Sequence, residues 1–315
     1  MPKLLKLAEG ISVPAPDDGS VIRYSQEAVQ HVEDFFSLLV FGQNEWAGRP
    51  FTLLPWEQEA IRSFYGVQTQ DEDGLWVRYR RYLYTELPKK NGKSELAAGL
   101  GLYHLMADGE TRPHVGVFAA DKTNADIIYQ AAKYMVEHTA MSQPEHAPLV
   151  WCRDSVREIR TRSGGVLKVY SADADTKHGY SFSAIIFDEL HAQPNRRLWD
   201  VLTAGSNAAR RQQAVIVLTT AGDDPDRQSI GWEIHEKCRR ILAWRSALKP
   251  ADSSGEQGSA AGGTASGDAA RAGQFTCPSE YAMKGAPDAN QQSVCGGEQA
   301  PARLDRSEPS GERGL

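Results

Sequence analysis

Lys93, Ser94, Asp188 and Glu189 are the residues whose types and spacing could carry chemistry in this chain. The first two close the run Tyr84-Thr-Glu-Leu-Pro-Lys-Lys-Asn-Gly-Lys-Ser94, which lies between an apolar stretch (Tyr82, Leu83, Tyr84) and a helix-forming one starting at Glu95. Strand, loop and helix in that order suit a phosphate-binding loop. Its backbone N–H groups and the helix N-terminus would present donors and partial positive charge to the β- and γ-phosphates. Lys89, Lys90, Asn91 and Gly92 would surround the phosphates, Lys93 would reach their oxygens, and the Ser94 hydroxyl would hold Mg²⁺. The usual pattern has a glycine five residues before Gly92; Leu87 stands there instead. Pro88 fixes φ, and the two preceding lysines add charge where phosphate would sit. Taken alone, Gly92-Lys93-Ser94 also fits a helix N-terminus with a surface lysine.

The acids complete the chemistry. Ser183-Ala-Ile-Ile-Phe-Asp-Glu-Leu-His191 is a short apolar run ending in two carboxylates, as expected of a parallel strand buried on both faces. Open α/β sheets bind ligands at the C-terminal strand edge, where the phosphate loop would also lie. Asp188 would bind Mg²⁺ and Glu189 would polarise an attacking water as general base. A strand that happens to end in solvated acids is the alternative. Ala214-Val-Ile-Val-Leu-Thr-Thr-Ala-Gly222 reads as another buried strand, whose Thr219, Thr220 and Gly222 either sense the γ-phosphate or form a plain Thr-rich turn.

Elements able to position these groups alternate along the chain. The pattern predicts a strand over 114–120, a helix over 122–138, a hairpin of 156–162 with 166–171 turned at Gly164-Gly165, and a helix over 227–244. Such alternation implies an α/β fold with a mostly parallel sheet flanked by helices. Ahead of it, Val29, Val32, Phe35, Phe36 and Leu39 have helical spacing over 26–39, and Phe51 to Ile61 fits a strand-to-helix entry with Pro55 at the helix start.

Four blocks together, Leu87 to Ala98, Thr176-Lys-His-Gly179, Ile186-Phe-Asp-Glu-Leu-His-Ala-Gln-Pro-Asn195 and Leu218-Thr-Thr-Ala-Gly222, resemble the ATPase motifs of the large terminase subunit of tailed bacteriophages. The resemblance covers about Glu45 to Trp244, and basic loops lacking the first glycine are usual in that family. It implies an additional-strand, RecA-like P-loop fold, with ATP and Mg²⁺ as cofactors. The implied activity is translocation of double-stranded DNA into a procapsid. The implied partners are the portal protein, the small terminase subunit and further copies of the chain in a ring. Thr219, Thr220 and Gly222 would couple hydrolysis to movement. The family's adenine-recognition motif, Pro-Trp followed by Gln, is matched by Pro55-Trp56, with Gln58 displaced one place by Glu57; Trp56 would either stack on adenine or pack under the sheet. Transition-state charge would be met by Lys89 or Lys90, or by an arginine from a neighbouring subunit.

Three regions are expected: a helical lead-in (1–50), a P-loop ATPase domain (51–245) and a low-complexity, disordered tail (246–315). The tail has no Ile or Trp, and its Asp252, Asp268, Asp288 and Asp305 lie on no β-rich run, so the nuclease that the family carries is expected to be absent. A frame-shifted end and a flexible partner-recruiting tail both fit. A net charge of −6 excludes a uniformly basic nucleic-acid binder but leaves room for a local basic surface, for which Arg78 to Arg81, Arg196-Arg197 and Arg210-Arg211 are candidates. The scattered cysteines show no metal-ligand spacing, and neither a membrane span nor a signal-peptide core is evident, in keeping with a cytoplasmic enzyme. A helicase-like ATPase and a truncated, non-catalytic binding module are the rival readings.

Overall fold

Elements run in chain order as follows. β1 (Leu4–Ala8) and β2 (Ile11–Pro14) form a hairpin, followed by β3 (Ile22–Tyr24), α1 (Gln26–Ser37), α2 (Pro55–Tyr65), β4 (Val67–Gln70) and β5 (Trp76–Arg78). Next come β6 (Tyr82–Glu86), α3 (Lys93–Met106), β7 (His114–Phe118), α4 (Lys122–Glu137), β8 (Val150–Arg153), β9 (Glu158–Thr161) and β10 (Val166–Tyr170). The chain then forms β11 (Ala184–Asp188), α5 (Arg197–Ala204), β12 (Ala214–Thr219), α6 (Ile230–Ala247) and β13 (Gln274–Phe275). The computed structural model describes residues 4–16, 18–119, 122–142, 149–170, 180–193, 195–204, 210–222, 224, 226–247 and 274–275.

The main sheet has the order β13-β6-β12-β11-β7-β10-β9-β8. From β6 to β10 all neighbours are parallel, whereas β13, β9 and β8 pair antiparallel. β12 thus lies between the strand that feeds the glycine-lysine-serine loop and the strand that ends in the acids, which is the additional-strand arrangement. Every residue of β11 and β12 is buried, as parallel strands covered on both faces require. Their side chains alternate. Ile186, Ile216 and Leu218 join α1 to α4 on one face through Phe36, Phe64, Leu96 and Met135, while Ile185, Phe187, Val215 and Val217 meet α5 and α6 through Leu198, Leu202 and Cys238. Burial of this kind is worth roughly 1.5–3 kcal/mol per large side chain.

The expected helices and strands occur within a few residues of their predicted ends, with two differences. Residues 1–50 are not helical throughout: besides α1, capped by Ser25 Oγ accepting from the Ala28 N–H at 3.1 Å, they hold the β1–β2 hairpin and β3. Phe51 to Leu54 belongs to no sheet, and the helix starts at Pro55. The Thr176-Lys-His-Gly179 block and nearly all of 246–315 lie outside the described residues.

Candidate active site

β6 ends at Glu86, and its loop is fixed by the neighbouring strand: the Leu87 N–H donates to the Thr219 carbonyl at 3.0 Å. Leu87 is buried, so the side chain standing in place of a glycine anchors the loop from below. Gly92 caps α3 at φ 77°, a left-handed conformation that glycine adopts without steric cost. Lys93, only 7% exposed, folds back over the loop and donates to the Leu87 and Pro88 carbonyls, each at 3.1 Å. Its ammonium also lies 4.0 Å from Glu189 Oε1, the outer limit of an ion pair.

Asp188 ends β11 and is 6% exposed. Burial, and then the neighbouring Glu189, push its carboxyl up to about 7, with Lys93 opposing them. Burial likewise lowers Lys93, against the pull of Glu189 and Asp188. Glu189 leaves the strand with φ 51°, a strained conformation for a non-glycine residue, held by its N–H donating to the Leu218 carbonyl at 3.0 Å. One oxygen of its carboxylate is clamped: Oε2 accepts from the Thr220 N–H at 2.8 Å and from Thr220 Oγ1 at 3.0 Å, with Thr219 Oγ1 at 3.5 Å and His191 Nδ1 at 3.2 Å. The other oxygen, Oε1, is the one that faces Lys93. The sheet edge thereby brings a lysine on a helix N-terminus together with two carboxylates, one of them oriented by fixed donors. Such a set can bind phosphate and a hard cation and take a proton from water.

Residues 55–237 match the family model of the terminase large subunit, ATPase domain. The chain belongs to that family. The crystal structure of the HK97 bacteriophage large terminase shares the fold at a TM-score of 0.54 and 20% identity, over 70% of this chain and 42% of that one. The match therefore spans less than half the length of that protein. The large terminase ATPase domain of Thermus phage P74-26 (TM-score 0.38, 17% identity, 54% of this chain and 84% of that one) adds no weight to the fold assignment. The same holds for a large terminase from a thermophilic bacteriophage, with a TM-score of 0.40 and 12% identity over 51% of this chain and 38% of that one. A comparison with curated proteins gives no match.

A cavity of about 990 Å³ opens over the loop of this terminase ATPase. It is lined by Lys89, Lys90, Gly92, Lys93, Ser94 and Glu189 together with residues of the segment before α2. Asn91 instead closes the loop on itself, its Nδ2 donating to the Pro88 carbonyl at 3.1 Å. The adenine-recognition expectation needs correction. Trp56 packs against the core, Gln58 is exposed with its amide donating to the Leu53 carbonyl at 3.2 Å, and neither lines the cavity. The reason lies in helix geometry: Glu57, at the third position of α2, turns inward and accepts from the Leu54 N–H at 2.8 Å, which rotates Gln58 to the outside. Burial pushes the Glu57 carboxyl up to about 7, the Leu54 bond opposing and Glu95 adding to the rise.

The arginine runs need correction as well. Arg78 and Arg80 are buried; Arg78 pairs with Asp108 at 2.8 Å and Arg80 donates to the Ser63 carbonyl at 2.6 Å. Arg196 pairs with Asp200 and Glu233, Arg210 with Glu110, and Arg211 with Asp71 and Asp73. These residues tie elements together rather than form a free basic face.

Two functional candidates escaped the sequence reading. Glu57 was announced only by its place three residues after Leu54, at a helix entry. His191 was announced only by standing two residues after Glu189. Its Nδ1 lies 3.0 Å from Thr219 Oγ1 and 3.2 Å from Glu189 Oε2, joining the acid strand to the threonine strand.

Proposed function

We propose that this chain is the ATPase motor part of a phage terminase, which couples Mg²⁺-dependent ATP hydrolysis to movement of double-stranded viral DNA into a procapsid. The observation that carries this reading is Glu189: one carboxylate oxygen is fixed by Thr220 and the other is turned toward Lys93 beside the phosphate loop. In the proposed reaction the loop amides and Lys93 hold the β- and γ-phosphates. Glu189 orients a water and takes its proton at Oε1, while Thr219, Thr220 and Gly222 pass the state of the site onward. The donors fit a magnesium ion. The Ser94 hydroxyl and the Asp188 carboxylate are hard oxygen ligands, and a dication would offset the cost of keeping Asp188 ionised at its buried position. Bound there, the metal would neutralise charge building on the phosphate oxygens. Lys89 or Lys90, or an arginine from a neighbouring subunit in a ring, would meet the remaining charge.

The portal protein and the small terminase subunit are the proposed partners, in a bacterial cytoplasm; among the described residues no helix is long and apolar enough to cross a membrane. DNA cutting is not assigned to this chain, and a plasmid-cleavage assay with Mg²⁺ or Mn²⁺ tests that. The central test is Lys93→Ala. Losing a charge-assisted contact should weaken Mg·ATP binding by roughly 1.5–3 kcal/mol in titration calorimetry, and equal affinity of variant and parent would sink the proposal.

A further inference from the structure

The cavity over the phosphate loop is also lined by the aromatic side chains Phe41 and Trp46, on a segment that is held in place. Segment 40–50 is closed by the Val40–Pro50 bridge and by the Phe41 N–H donating to the Arg49 carbonyl, and the Gly48 N–H to that of Phe41, each at 2.9 Å. It is also tied to the helix that carries Lys93 and Ser94, because the Gly42 N–H donates to Glu95 Oε2 at 3.0 Å. Gln43 Nε2 donates to the Ile127 carbonyl at 3.0 Å, which anchors the segment on α4. A side chain at position 42 would meet the Ala131 backbone at 2.7 Å, so the segment sits hard against that helix.

On this fixed segment Trp46 is 51% exposed, although Phe41 touches its edge and the Arg49 guanidinium lies 4.9 Å from its ring centre. Trp46 and Arg49 line the same cavity as Lys89, Lys90, Lys93 and Ser94. The cavity therefore has a cationic, phosphate-binding side and an aromatic, guanidinium-bearing side. Glu45, Glu57 and Glu95 also line it, and their carboxylates suit hydroxyl and amino donors rather than phosphate.

We propose that the purine base of a nucleoside triphosphate stacks on Trp46 and Arg49, its ribose facing the carboxylates and its phosphates on the Lys93 loop. The proposal rests on the nucleotide-binding reading above and moves the base seat from Trp56 and Gln58 to the segment before α2. A ligand with a planar aromatic head and a polyanionic tail meets both sides of the cavity at once; inorganic polyphosphate meets only one.

Calorimetric titration of the full chain with Mg·ATP and, separately, with Mg·tripolyphosphate tests this. Trp46→Ala should weaken ATP binding by roughly 10-fold or more, the scale of one base–aromatic stack, and leave tripolyphosphate affinity unchanged. Trp46→Phe, which keeps an aromatic face, should restore most of the loss, and matching circular-dichroism melts establish that both variants fold. Unchanged ATP affinity in Trp46→Ala would overturn the base seat, and so would equal weakening of both ligands. Lys93→Ala should weaken both. If neither ligand binds the parent chain, or Lys93→Ala leaves both affinities intact, the nucleotide-binding reading itself fails.

Discussion

Asp188 gives the sharpest prediction, because the group proposed to hold metal should be a burden on the fold when no metal is bound. Its carboxyl is held at about 7, against an ordinary 3.8, chiefly by burial and then by Glu189. A carboxyl raised in the folded state costs nothing below pH 3.8, where both states are protonated. The cost grows through the window up to about 7 and is constant above it. At 1.36 kcal/mol per pH unit the full cost is about 4 kcal/mol. Asp188→Asn keeps the shape and removes the charge. It also removes a partner of Lys93, so a net gain of about 2–3 kcal/mol above pH 7 is expected, or roughly 4–12 °C in Tm for a domain of this size. The assay is thermal unfolding in EDTA at pH 5, 6.5 and 8. The gap between variant and parent should widen from pH 5 to pH 8. Magnesium with ADP should narrow it, by stabilising the parent more than the variant, which lacks one proposed metal ligand. A variant that is no more stable than the parent at pH 8, or a gap that does not change with pH, would refute the reasoning.

Three further outcomes follow from the same geometry. Glu189→Gln should bind Mg·ATP like the parent while turnover falls roughly 10²–10⁴-fold; a loss of binding as large as that of Lys93→Ala would place Glu189 in a structural role instead. His191→Ala should lower kcat with little change in KM, and His191→Asn, which can keep a polar group near the Nδ1 position, should recover part of it; the check is steady-state ATPase kinetics of both. Asp108→Ala should destabilise the chain by about 3–5 kcal/mol in urea titration, because it leaves Arg78 buried at 3% exposure without the carboxylate that sits 2.8 Å away.

The parallel sheet was legible because strands buried on both faces read as unbroken apolar runs, and Ile185 to Phe187 and Val215 to Leu218 are such runs. Lys93, Ser94, Asp188 and Glu189 were legible because each ends a strand or starts a helix, so local sequence fixes its place at the sheet edge. The parts that escaped depend on partners distant in sequence. Arg78 looked like surface charge, but Asp108 lies 30 residues away and closes a network in which His104 Nδ1 sits 2.8 Å from the carboxylate and 2.9 Å separate Tyr65 OH from His104 Nε2. Burial alone would raise the Asp108 carboxyl, yet Arg78 and His104 outweigh it and hold it down at about 2. Trp46 and Trp56 stand only ten residues apart, on either side of the entry to α2. Only the packing of segment 40–50 on α3 and α4 turns one ring to the cavity and the other to the core.

The proposed coupling would have to pass a tight contact marked by two glycines. A Cβ on Gly222 would lie 2.6 Å from the His191 ring, and one on Gly231 would lie 2.5 Å from His191 Cα, so the residue that touches Glu189 is wedged between the end of the threonine strand and the first turn of α6. α6 is tied to the other half of the site too, since His235 Nδ1 lies 2.8 Å from Glu86 Oε2, at the end of the strand that feeds the phosphate loop. Glu86 is itself braced by the Tyr84 hydroxyl at 2.7 Å. The helix is therefore linked to the loop before α3 through Glu86 and to the Glu189 carboxylate through His191. Packed interiors resist small displacements, so a shift at either contact would be passed to α6. In the proposed coupling, α6 would join the threonines as an element through which a change at Glu189 leaves the site. It also explains why loss of the His191 contact is expected to slow turnover while leaving nucleotide affinity almost untouched.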